Sequence, residues 1–142
     1  MNKANRFLYS FIGLVIFQIF MSMEEIIGHF PKWIKLLTGK VHLRVPFFPV
    51  VQINEQVFMF ISLIIIIILF VFLAFLFLDS KWSRLLAVIL GVLEVINGGL
   101  HILISLYFMH YLPGSISAIG LIIFGLLVIY IKPSLQPETV KE

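Results

Sequence analysis

Cysteine is absent from this chain of 142 residues, which excludes disulfides, thiolate metal ligands and thiol nucleophiles at the outset. Charge is nearly as scarce. Only 12% of residues are charged against 61% hydrophobic, and the mean hydropathy is +1.14, values that no soluble domain of this size could present to water. The net charge of +3 comes from Lys and Arg between and outside the apolar runs, which points to orientation and lipid headgroups and away from nucleic acid. Nothing reads as the alternating strands of a barrel. A cleavage site is missing as well: Lys3 and Arg6 precede the first apolar run as in a signal peptide, but no small-x-small triplet follows and the run ends in Glu24-Glu25, so a retained helix is expected.

What the chain has is four apolar stretches, about 7–27, 57–78, 85–108 and 115–131, where a crossing takes roughly 20 residues. They predict an all-α fold, an integral membrane four-helix bundle forming a single transmembrane domain over residues 1–142, because helices satisfy every backbone group inside lipid. Residues 28–52 are expected to form an interfacial amphipathic loop and 132–142 a polar tail. With four spans, Lys3, Arg6, Lys81, Arg84, Lys132 and Lys141 fall on one side, and Lys32, Lys35, Lys40 and Arg44 on the other. By the positive-inside rule both termini of this multi-pass cell-membrane protein are expected in the cytoplasm. Within Pro31 to Leu37, Trp33, Ile34 and Leu36 can face acyl chains while Lys32 and Lys35 face headgroups, so the segment is an interface anchor or a lid over a site between the helices.

The second stretch is apolar all round apart from Ser62 and Ala74 and reads as scaffold, with Glu55 at its start suiting the helix dipole. The third differs. Gly91, Glu94, Gly98, His101 and Ser105 recur at steps of three and four, placing small and polar residues on one face with Asn97 at its margin, and such a face looks into a bundle. The first stretch carries Ser10, Gly13, Phe17, Met21, Glu24 and Gly28 in one stripe, and Gln18, Ser22, Glu25 and His29 in the next. A charged side chain at mid-bilayer depth costs about 2.5 to 3.5 kcal/mol on insertion scales, so an adjacent pair of carboxylates calls for a use. Counted along outward-running helices, Glu24, Asn97 and His101 reach similar depths in the outer half. The plainer alternatives are a carboxylate pair in headgroup water, and Glu94, Asn97 and His101 as interhelical glue.

Glu24-Glu25 in the first stretch, Asn97-x-x-x-His101 in the third and Tyr111-x-Pro113-Gly114 at its exit together resemble the HXXEE-motif membrane proteins, small four-span bacterial proteins of unknown function. Met21 stands where that family has its naming His, and Tyr107 where it has a His ahead of Tyr-x-Pro-Gly. The resemblance implies Glu24, Glu25, Asn97, His101 and Tyr111 as functional candidates in an enzyme-like or metal site, and supplies no reaction.

Two carboxylates close together in low dielectric do not both ionise freely, which sets an acid beside a base. With His101 and Glu94 nearby, Glu24, Glu25, Glu94, Asn97, His101 and Tyr111 form a candidate catalytic set for an intramembrane enzyme acting on an amphipathic or lipid-like molecule, Glu24 or Glu25 serving as base and His101 as acid. Glu24, Glu25, Glu94 and His101 alternatively offer oxygen and imidazole ligands to a divalent transition metal, a choice that the absence of His at Met21 weakens. Two non-enzymatic classes stay open: a small-molecule, cation or proton binding or transport protein, and an accessory subunit paired with another membrane protein. Partners consistent with this are the lipid bilayer, an amphipathic ligand, and a second copy or membrane partner.

Overall fold

A computed structural model describes residues 3–77 and 81–131. It contains five helices: α1 (Lys3–Ile27), α2 (Phe30–Arg44), α3 (Glu55–Leu76), α4 (Lys81–Phe108) and α5 (Ser115–Tyr130), and no strand among the described residues. The fold is all-α. The last residue of the expected second stretch, Leu78, the turn residue Asp79, the side chain of Lys81 and the tail 132–142 with Lys132 and Lys141 lie outside the described residues.

Three helices, α1, α3 and α4 from Trp82 onward, are long and apolar enough to cross a membrane. α5 is apolar but has 16 residues, about 24 Å at 1.5 Å per residue against a hydrocarbon core of about 30 Å.

Residues 28–52, expected from the sequence as a loop, contain a helix, since fifteen of them form α2. The chain leaves α1 through His29, which takes the left-handed conformation at φ 51°, and Pro31 then sits in the first turn of α2 where its missing N–H is tolerated. α2 stops at Arg44 because Val45 precedes Pro46 and is held extended at φ −134°. α2 is tied down at both ends. Glu55 at the start of α3 meets His29 Nδ1 at 3.0 Å and Lys32 Nζ at 3.3 Å; at the other end Arg44 donates to the Tyr107 hydroxyl at 2.9 Å and Lys40 lies 5.3 Å from the Phe108 ring centre. α2 thus spans from the start of α3 to the end of α4.

The core joins Phe7, Phe11, Leu14, Val15 and Met21 of α1 with Leu69 of α3, Ala87 of α4 and Leu121 and Val128 of α5. α5 packs against both α1 and α4, which its small residues permit. A side chain at Gly98 would come within 2.9 Å of the Ala118 carbonyl, and one at Gly125 within 2.9 Å of the Gly91 carbonyl, so α4 and α5 touch backbone to backbone. α3 buries only Ser62 and Leu69, in keeping with a scaffold helix that is apolar all round.

Candidate functional site

Glu24 and Glu25 are neighbours in the last turns of α1, so their side chains diverge by about 100° around the helix and meet different elements. Glu24 turns to α5. Its Oε2 accepts from the Ser117 hydroxyl at 2.7 Å and the Ser117 backbone N–H at 3.2 Å, and its Oε1 accepts from the Tyr111 hydroxyl. The helix α5 has Gly114 at its N-cap and no side-chain cap of its own. A carboxylate reaching over from α1 therefore fills the capping role, with its charge set favourably against the N-terminal end of the helix dipole.

Glu25 turns to α4. Its Oε1 lies 3.1 Å from His101 Nε2, and both residues are buried. The other ring nitrogen, Nδ1, lies 3.1 Å from the Pro113 carbonyl oxygen. A carbonyl only accepts, so Nδ1 carries a hydrogen. The short contact on the opposite side then holds one proton between Nε2 and the carboxylate, either as imidazolium and carboxylate or as neutral imidazole and carboxylic acid. Phe30 of α2 stacks on the imidazole with ring centres 4.9 Å apart and planes inclined by 23°, covering that face of the ring. Gly114 has φ +95°, and a Cβ there would fall 2.9 Å from His101 Nδ1 and 3.2 Å from Glu25 Cγ. Both the backbone conformation and the space require glycine.

A second polar group lies about one turn earlier along α1 and α4. Asn97 donates through Nδ2 to Glu94 Oε2 at 3.4 Å and to the Met21 sulfur at 3.7 Å, a weak acceptor. Met21 is fully buried. Gln18, one turn before Met21, and Ser22, one turn after Gln18, are buried beside this group.

The structure thus brings together the six candidates in three units: Glu24 with Tyr111, Glu25 with His101, and Glu94 with Asn97. It does not gather the proposed metal ligands. Among the described residues no three His, Asp or Glu side chains surround a common point. The reason is directional: Glu24 is spent on the start of α5, Glu25 on His101, and Glu94 faces Asn97. Sequence reasoning missed Ser117, the third residue of a helix that follows Pro-Gly and so an expected donor of a free N–H. It also missed Phe30, for which spacing gives no signal.

The family model described as protein of unknown function with HXXEE motif matches residues 12–129, which is 118 of the 142 residues. The chain belongs to the HXXEE family. No curated protein and no solved structure matches it. In this HXXEE protein the motifs that are separate in sequence meet in space: the position of the naming His, Met21, touches Asn97; Glu24 touches Tyr111; Glu25 touches His101; and His101 bonds to the backbone of Pro113. Tyr107 stands apart from these contacts and receives the bond from Arg44.

Proposed function

We propose that this HXXEE protein is an intramembrane enzyme that performs acid/base chemistry on an amphipathic, lipid-like substrate. The observation that supports it is the Glu25–His101 contact at 3.1 Å, with His101 Nδ1 already committed to Pro113. A shared proton in a dry site can be delivered to, or taken from, a bound molecule with little reorganisation, Glu25 acting as base and His101 as acid. Glu24 and Tyr111 serve this pair by fixing the turn that carries Pro113 and Gly114, and the Phe30 ring excludes water from one face of the imidazole. Substrate would reach the pair from the lipid side or by displacement of α2, the lid reading of this segment.

The arrangement in the bilayer belongs to the same proposal. α5 completes a four-span bundle as a short fourth crossing, the protein is multi-pass in the cell membrane, and the end of α1 with α2 lies on the outer side, leaving both termini cytoplasmic. Partners are then lipids and the amphipathic substrate.

The test is conversion of lipid. Proteoliposomes prepared with total membrane lipid extract are incubated with wild-type protein and with Glu25→Gln, and the lipids are compared by mass spectrometry. Glutamine keeps the shape and a hydrogen bond to Nε2 but cannot transfer a proton. A lipid change present with wild type and absent with Glu25→Gln supports the proposal; identical lipid profiles for both contradict it. A second reading, binding or transport of a cation or proton, draws support from the acceptor groups of Gln18, Glu94 and Asn97 near mid-depth.

A further inference from the structure

Between α3 and α4, over the flank of α1, lies a groove of about 340 Å³ whose lining includes Gln18, Ile65, Ile68, Leu93, Glu94 and Asn97. That volume is near the lower end of sites that hold small molecules, about 300 to 1,000 Å³. Its walls are apolar, and its polar side chains are two amides and a carboxylate. Gln18 is 4% exposed; its Nε2 donates to Ser22 Oγ at 3.5 Å, while its Oε1 is buried with no hydrogen-bond partner. Glu94, also buried, receives only the Asn97 amide at 3.4 Å and meets no cation among the described residues. Asn97 commits its amide nitrogen to Glu94 and the Met21 sulfur, and its oxygen receives no hydrogen bond among the described residues.

A buried acceptor without a donor and a buried carboxylate without a counter-charge are each unfavourable, and the two share one groove. Gln18 lies 15 residues beyond Lys3 and 9 before Ile27, and Glu94 13 beyond Lys81 and 14 before Phe108, so in the proposed arrangement each sits in the middle part of its helix, roughly 13 to 23 Å from either end. At that depth water is a poor source of donors, and a ligand that carries its own is favoured.

We infer that the groove binds the protonated primary amine of a small amphipathic molecule, its N–H groups shared among the Glu94 carboxylate, the Asn97 oxygen and Gln18 Oε1, the Gln18 amide turning to bring that buried oxygen to the ligand, and its apolar body lying on Ile65, Ile68 and Leu93. A primary ammonium has three donors and one positive charge, which matches three acceptor groups, one of them a carboxylate. An alcohol offers a single donor and no charge. A quaternary ammonium offers charge without donors, and a carboxylic acid anion would be repelled by Glu94. This names a substrate class for the proposed enzyme, and it rests on that reading only for the claim that the bound amine is turned over.

Binding to the full chain in detergent is measured by native mass spectrometry with decylamine, decyltrimethylammonium, decanol and decanoate as probes. One saturable decylamine site is expected, with decyltrimethylammonium and decanol at least ten-fold weaker and decanoate unbound. Glu94→Gln and Gln18→Leu should each weaken decylamine at least ten-fold and leave decanol unchanged. If Glu94→Gln does not fold, Gln18→Leu decides. Equal binding of all four probes, or decylamine affinity that survives the substitutions, overturns the inference. The two readings fail separately. Absent decylamine binding with a Glu25-dependent lipid conversion removes the amine site alone, whereas decylamine bound at Glu94 with no Glu25-dependent conversion removes the enzyme reading alone.

Discussion

Glu24 on α1 caps α5 through Ser117, with its Oε2 2.7 Å from the hydroxyl and 3.2 Å from the backbone N–H. A carboxylate expected to do chemistry is thereby joined to the start of another helix, and the neighbouring Glu25 is left to His101.

This division predicts different outcomes for the two residues. Glu24→Ala removes a charge-assisted bond and leaves the Ser117 donors unpaired, a loss of about 1 to 3 kcal/mol, while Glu25→Gln keeps its contact and should cost less than Glu24→Ala. Thermal unfolding of the purified variants in detergent measures both. The reverse ranking would show that Glu24 is not the structural member of the pair.

Met21 is fully buried against Asn97. Met21→His is similar in volume and can accept the same amide hydrogen through one ring nitrogen while burying the N–H of the other, so it should lose about 1 to 3 kcal/mol, less than the alanine variant. Met21→Ala opens a cavity and should lose about 2 to 5 kcal/mol. Denaturation midpoints of the two variants test this; a Met21→His protein as unstable as Met21→Ala would mean that the naming position does not accommodate the family's residue in this chain.

Gly114→Ala should cost about 1 to 3 kcal/mol, because it forces a side chain into φ +95° and sets a methyl group 2.9 Å from His101 Nδ1. The same variant should shift the ring nitrogen resonances of His101, since the bond to Pro113 is what the new methyl displaces. Unchanged resonances would separate the Gly114 turn from the imidazole.

Orientation is testable because the chain carries no cysteine of its own. A cysteine replacing Phe47, which is 90% exposed between α2 and α3, should react with a membrane-impermeant maleimide added to intact cells, and one replacing Asn5 only after permeabilisation. The opposite labelling pattern would invert the proposed topology.

Much of this site could be read from periodicity. Steps of three and four placed Gly91, Glu94, Gly98, His101 and Ser105 on one face of α4; the first four are buried and Ser105, near the helix end, is half-buried. The same counting put Glu24 and Glu25 on adjacent stripes of α1, which is why they reach different partners. α2 was not legible as a helix: Trp33, the lysines and the flanking prolines suggest an interfacial segment, and the deciding features, a left-handed His29 and contacts from Glu55 and Tyr107, are tertiary. The metal set failed to gather for a related reason, since spacing fixes the face a residue occupies and leaves open which helix its carboxylate meets.

The most direct measurement is 15N NMR of the His101 ring in liposomes. A protonated Nδ1 bonded to a carbonyl is expected, together with an Nε2 resonance displaced from that of a free imidazole nitrogen by the shared proton and moved by Glu25→Gln. A ring protonated at Nε2 alone, or an Nε2 resonance indifferent to Glu25→Gln, would contradict the shared-proton pair and with it the proposed acid/base site.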